Sequence, residues 1–138
     1  MIGLGAGARS YTKSVHYSSE YAVGRQSIKS IIQHYIARPN FHEVDYGIEL
    51  NKEEQKRRFV IKSILHGTGL DLKRYHTLFE QDALSEYSLL SELINAGMAR
   101  LQGHELRLTD MGLDYSDAIG PALYSEPVKQ LITEFELQ

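Results

Sequence analysis

Apolar residues recur at helical spacing over most of the chain and alternate only in short stretches. The first periodic segment predicts a helix over 25–37, from the apolar residues Ile28, Ile31, Ile32 and Tyr35. Arg38 and Pro39 end this helix, because the residue before a proline avoids helical backbone angles. Residues 44–50 are then predicted to contain a short extended stretch.

The strongest helix signal begins at Asn51, which can cap a helix, and Glu54 follows three residues later as in a capping box. Its apolar positions are Phe59, Val60, Ile61, Ile64 and Leu65. The glycines within 67–69 end this helix. Asp71 can cap a short helix, and a further helix is predicted over 82–96.

Alternation of apolar and polar residues predicts a β-hairpin over 98–108, with its turn at 102–104. Thr109 and Asp110 can cap another helix, and a last helix is predicted over 127–135. The order of three helices, a hairpin and a helix predicts a mainly α, winged-helix-like domain, with a helical core and a small β-hairpin. Its predicted core consists of Val60, Ile61, Ile64, Leu90, Leu93, Ile94, Leu108 and Ile119.

The start of the chain has no clear hydrophobic period. Residues 1–24 are predicted to be a glycine-rich loop and an irregular linker, followed over 25–138 by the winged-helix-like domain with its extra N-terminal helix. Gly3, Gly5 and Gly7 give the loop a permissive backbone. Because an independent domain rarely begins with such a loop, we expect the chain to belong to a longer protein.

Composition removes several classes of site. The chain has 138 residues and no cysteine, so it holds neither a disulfide nor a thiolate-bound iron–sulfur cluster. No apolar run approaches the roughly 20 residues that span a bilayer, and we expect a cytoplasmic protein. The net charge of −3 argues against a dedicated nucleic-acid partner. The six histidines lack metal-ligand spacing, so no metal site is expected.

Two groups of residues could bind an anion. The amides of the glycine loop could cradle a phosphate or carboxylate, and the alternative is a tight connection without a ligand. Arg58 and Lys62 share a helix face that could bind an anionic group, and the alternative is a solvated face with Glu54 paired to Arg58. No Gly-x-Ser-x-Gly motif or suitably placed carboxylate pair marks a nucleophile or a general acid, so no catalytic residue is assigned.

Five segments, in order, resemble a known family. Residues 2–11 (IGLGAGARSY) resemble the loop that closes the barrel of oxygen-independent coproporphyrinogen III oxidases and related haem chaperones, which are radical S-adenosylmethionine proteins. Residues 57–65 (RRFVIKSIL) and 69–71 (GLD) resemble the first long helix of that family's C-terminal domain. Residues 89–98 and 107–112 (RLTDMG) resemble its next steps, so the resemblance covers nearly the whole chain.

The resemblance implies an accessory role in haem or porphyrin biosynthesis. The parent would be an oxidase, a haem chaperone or a sister enzyme, with a 4Fe-4S cluster held by a Cys-x-x-x-Cys-x-x-Cys motif. That cluster cleaves S-adenosylmethionine to a radical that starts decarboxylation of a tetrapyrrole substrate. This chain lacks the motif, so it would not catalyse the reaction alone, and its partner would be the N-terminal barrel of the parent.

The resemblance also implies site residues. The loop residues Gly3, Gly5, Gly7, Ala8, Arg9 and Ser10 would lie near S-adenosylmethionine, and the substrate-facing candidates are Arg9, Arg58 and Lys62. Relatives have Ile or His where this chain has Arg9, which suits a carboxylate ligand. The alternative function is a winged-helix transcription regulator. Its DNA-reading helix would be 82–97, which carries three carboxylates and no Lys or Arg.

Overall fold

The computed structural model of the chain describes residues 1–18, 24–44 and 46–136. These residues form two compact units, Met1–Gln55 (unit 1) and Lys56–Gln138 (unit 2). The domain boundary predicted after residue 24 therefore falls inside unit 1. Within the described ranges, no helix has both the length and the apolar character needed to cross a membrane.

Unit 1 contains a small antiparallel sheet and one long helix. Its strands, in the order β1-β2-β3, are β1 (Arg9–Tyr11), β2 (Val15–Ser18) and β3 (Tyr46–Glu49), and its helix is α1 (Arg25–Ala37). The bounds predicted for the helix at 25–37 are confirmed. The strands β1 and β2 lie where an irregular segment was predicted. The sequence gives no strand signal there, because the polar and aromatic side chains do not alternate in hydrophobicity.

Unit 2 begins within α2 (Lys52–Ile64), whose first turn belongs to unit 1. Asn51 caps this helix, because its side chain accepts a hydrogen bond from the Glu54 amide at 2.9 Å. The following elements are β4 (Leu70–Asp71), α3 (Leu72–Phe79), α4 (Ala83–Glu86), α5 (Ser88–Asn95), β5 (Ala99–Gln102), β6 (Glu105–Leu108), α6 (Asp110–Asp114), α7 (Ser116–Ala122) and α8 (Glu126–Glu136). The predicted helical core with a hairpin is confirmed. With two small sheets beside the helices, the described part of the chain is mixed α and β.

The second sheet contains a strand that the pattern did not predict. Its order is β4-β6-β5, so the hairpin of β5 and β6 gains β4 along its β6 edge, with Leu70 opposite Leu106. Two residues are too few to show a period, so β4 is specified by its partner rather than by its own sequence. The Leu72 amide extends this pairing by donating to the His104 carbonyl at 2.9 Å.

The helix predicted over 82–96 is divided in two. Tyr87, between α4 and α5, leaves helical backbone with φ −122° and ψ 89°, and its side chain is buried. A similar break at Tyr115 separates α6 from α7. At Tyr87 the chain turns so that the aromatic ring enters the core. The helical period of 3.6 residues in the sequence does not predict such a turn.

The core lies entirely in unit 2. Five of the predicted core residues are buried, namely Val60, Ile64, Leu90, Leu93 and Ile119, and three pack against them half-buried, namely Ile61, Ile94 and Leu108. Leu70, Tyr75 and Leu106 are fully buried additions to that prediction. Among the described residues, every buried apolar side chain lies between Val60 and Leu123.

Gly112 lies where α6 packs closely against Met98, the residue before β5. It is buried on α6, and a Cβ at this position would lie 2.0 Å from the carbonyl oxygen of Met98. Thr109 begins the same helix by accepting the Gly112 amide at 3.2 Å. Any side chain at 112 would therefore push α6 away from the hairpin.

We expect Gly112→Ala to lower the free energy of unfolding by about 3 kcal/mol, the upper part of the range for overpacking, because backbone atoms must move. Urea unfolding measures the change. The matched control is Gly67→Ala, where an added Cβ meets nothing within 4 Å and a change within about 0.5 kcal/mol is expected. Equal losses in the two variants would contradict the proposed contact.

Candidate functional site

The glycine loop of unit 1 is closed by backbone pairing at its base. Met1 donates its terminal amine to the Tyr11 carbonyl at 3.0 Å, and the Tyr11 amide donates to the Met1 carbonyl at 2.8 Å. Inside the loop, the Gly3 amide donates to the Ser10 hydroxyl at 3.0 Å, and the Ser10 side chain is only 2% exposed. The loop is therefore a defined structure with a buried polar centre.

A second contact ties the loop to α1. The Gly5 amide donates to the Tyr35 hydroxyl at 3.1 Å, and the Ala8 amide donates back to the Gly5 carbonyl at 3.2 Å. The amides of Gly3, Gly5 and Ala8 thus all have acceptors within the protein. A ligand cradled by these three amides would have to replace those bonds.

Arg9 is the loop residue whose side chain is available to a ligand. It is exposed in β1, opposite Ser18, while its neighbour Ser10 points inward as expected for alternating residues of a strand. Two residues along, Tyr11 stacks on His16 with ring centroids 4.4 Å apart. The guanidinium of Arg9 therefore gives this part of unit 1 an exposed positive charge.

The other two substrate-facing candidates lie in unit 2. Arg58 is half-buried and Lys62 is exposed, one turn apart on α2. Arg9 belongs to unit 1, whereas Arg58 and Lys62 belong to unit 2.

Sequence reasoning missed a buried polar cluster at the start of unit 2. Lys56 is 2% exposed, and its ammonium donates to Glu86 Oε1 at 2.6 Å and to Gln81 Oε1 at 2.8 Å. The fully buried Tyr75 donates its hydroxyl to Glu86 Oε2 at 2.5 Å. Both oxygens of this carboxylate are therefore occupied, and three helices, α2, α3 and α4, meet at one side chain.

The cluster shifts the pKa values of its members. Burial would by itself raise the pKa of Glu86, but the hydrogen bonds from Lys56 and Tyr75 and the charges of Lys56 and Arg57 outweigh it, and the net pKa is lowered. Burial, followed by the bond to the Glu86 carboxylate, raises the pKa of Tyr75 far above its ordinary range. Glu86 is thus held ionised and Tyr75 neutral.

Arg57 covers the side of this cluster. Its guanidinium lies 5.4 Å from the centre of the Tyr87 ring and donates to the Leu123 carbonyl at 3.1 Å. The sequence carried a signal for this arrangement. Lys56 lies four residues before Val60 and eight before Ile64, so it shares their buried helix face, although lysine is ordinarily a surface residue.

The chemistry of this cluster is structural. Each polar group in it bonds to another member, and the Lys56 ammonium, whose side chain is 3% exposed, is bonded to both Glu86 and Gln81. Within residues 1–18, 24–44 and 46–136, no group of three His, Asp or Glu side chains could hold a metal ion. The exposed Arg9 on the glycine loop remains the best candidate for ligand binding.

Comparisons of the chain with protein-family models, curated protein sequences and solved structures gave no match. The family resemblance of the sequence therefore stays a prediction.

We expect Glu86→Gln to lower the free energy of unfolding by about 3 kcal/mol at pH 7, because the buried Lys56 ammonium loses its counter-charge. Since the folded pKa of Glu86 is lowered, its stabilising effect is present above the ordinary carboxyl value of 4.5 and is lost as the pH falls through the lowered value. The difference from wild type should therefore shrink below pH 4.5 in urea titrations.

The control for that experiment is Glu92→Gln, because Glu92 is an exposed carboxylate on α5 and its neutralisation should change stability by less than about 0.5 kcal/mol. A Glu86 effect that stays constant from pH 7 to pH 3 would contradict the ion pair.

Ser10→Ala should loosen the glycine loop, because the Gly3 amide loses its buried acceptor. A bond of this kind contributes about 1 kcal/mol, so hydrogen exchange at the Gly3 amide should accelerate about fivefold. Nuclear magnetic resonance measures this rate. Ser30→Ala, at an exposed position of α1, should leave it unchanged, and an unchanged rate in Ser10→Ala would show that the bond contributes nothing.

Proposed function

We propose that this chain is the C-terminal accessory domain of a radical S-adenosylmethionine enzyme of the oxygen-independent coproporphyrinogen III oxidase group. In this proposal it packs beside the catalytic barrel and helps to close the tetrapyrrole site. The iron–sulfur cluster and its cysteine ligands belong to the barrel, so this chain is not catalytic alone. The observation that carries the proposal is the ordered resemblance of residues 2–11 and 57–71 to two segments of that family.

The element order of unit 2 supports the finer assignment to a winged helix. A winged helix is expected to have the order helix, strand, helix, helix and hairpin, and the order α2, β4, α3, α4 with α5, then the β5–β6 hairpin, supports that proposal. Such a domain serves either as a packing module or as a DNA reader, so the fold alone does not decide the function.

The distribution of apolar residues supports an accessory role. Unit 1 has no buried apolar side chain among its described residues, and Ser10 is its one buried residue there. Nine of its described large apolar residues are exposed instead, namely Met1, Ile2, Leu4, Ile28, Ile32, Ile36, Phe41, Val44 and Ile48. A unit of this size with no apolar core gains its stability by covering those side chains with another surface.

The surface of α5 disfavours the regulator alternative. In a DNA-reading winged helix the corresponding helix carries basic or amide side chains toward phosphates and bases. Glu92 is exposed on α5, and neither α4 nor α5 contains Lys or Arg. Of the other two carboxylates in 82–97, Asp82 caps α4 and Glu86 faces inward to Lys56. An exposed carboxylate without nearby cations on this helix repels a phosphate backbone.

The test uses the intact parent protein, in which we expect the cysteine motif to precede this chain. The protein is reconstituted anaerobically with iron and sulfide. We expect it to cleave S-adenosylmethionine, measured as 5′-deoxyadenosine. Arg9→Ala should lower turnover or substrate affinity and leave the thermal midpoint unchanged, because Arg9 is exposed. Ile64→Ala should instead lower stability by about 2–5 kcal/mol, because it truncates a buried side chain.

Two results would contradict the proposal. One is an intact protein without the cysteine motif or without S-adenosylmethionine cleavage. The other is sequence-specific, submicromolar binding of a DNA duplex by the chain, measured by mobility shift at several salt concentrations, which would favour the regulator.

A further inference from the structure

We draw no further inference here: the strongest candidate, the exposed apolar face of α1 formed by Ile28, Ile32 and Ile36, carries no proposal because nothing in the described part of the structure shows what covers it.

Discussion

The ion pair between Lys56 and Glu86 is the interaction on which the arrangement of unit 2 depends. Glu86 lies on α4, and Tyr75 of α3 donates to its second oxygen, so three helices share one carboxylate. A buried ammonium is tolerated only when its counter-charge and hydrogen-bond acceptors are in place. The Lys56 side chain must therefore point toward Glu86, and this requirement fixes the rotation of α2 about its axis. The same rotation places Val60 and Ile64 in the apolar core. One polar contact thereby orients an otherwise apolar helix packing.

Unit 1 is organised by hydrogen bonds of its backbone rather than by an ion pair and an apolar core. Its order comes from backbone pairing of three short strands and from bonds that Ser10 and Tyr35 accept from loop amides. Fixing the backbone of a loop opposes folding by roughly 1–2 kcal/mol per residue, and hydrogen bonds alone offset little of that. The exposed isoleucines of α1 are the apolar area that could supply the remainder when covered.

Sequence patterns predicted the features that local chemistry determines. The caps at Asn51, Asp71 and Thr109 are all present, because a short polar side chain satisfies helix amides wherever the chain enters a helix. Features that depend on distant partners were missed. The strand β4 exists through its pairing with β6, and the break at Tyr87 accompanies the burial of its ring. The burial of Lys56 depends on Glu86, thirty residues away, which no local window contains.

The conformation and packing of the glycine loop account for its three glycines. A Cβ at position 3 would lie 2.7 Å from the Arg9 carbonyl, so Gly3 is needed for close packing, while Gly5 and Gly7 have φ of 104° and 77°, angles that side chains disfavour. All three glycines thus have a conformational cause without any ligand. Their amides at positions 3 and 5 are already bonded inside unit 1. A ligand that bound this loop would therefore meet its side chains, and the exposed guanidinium of Arg9 is the one whose charge suits a carboxylate.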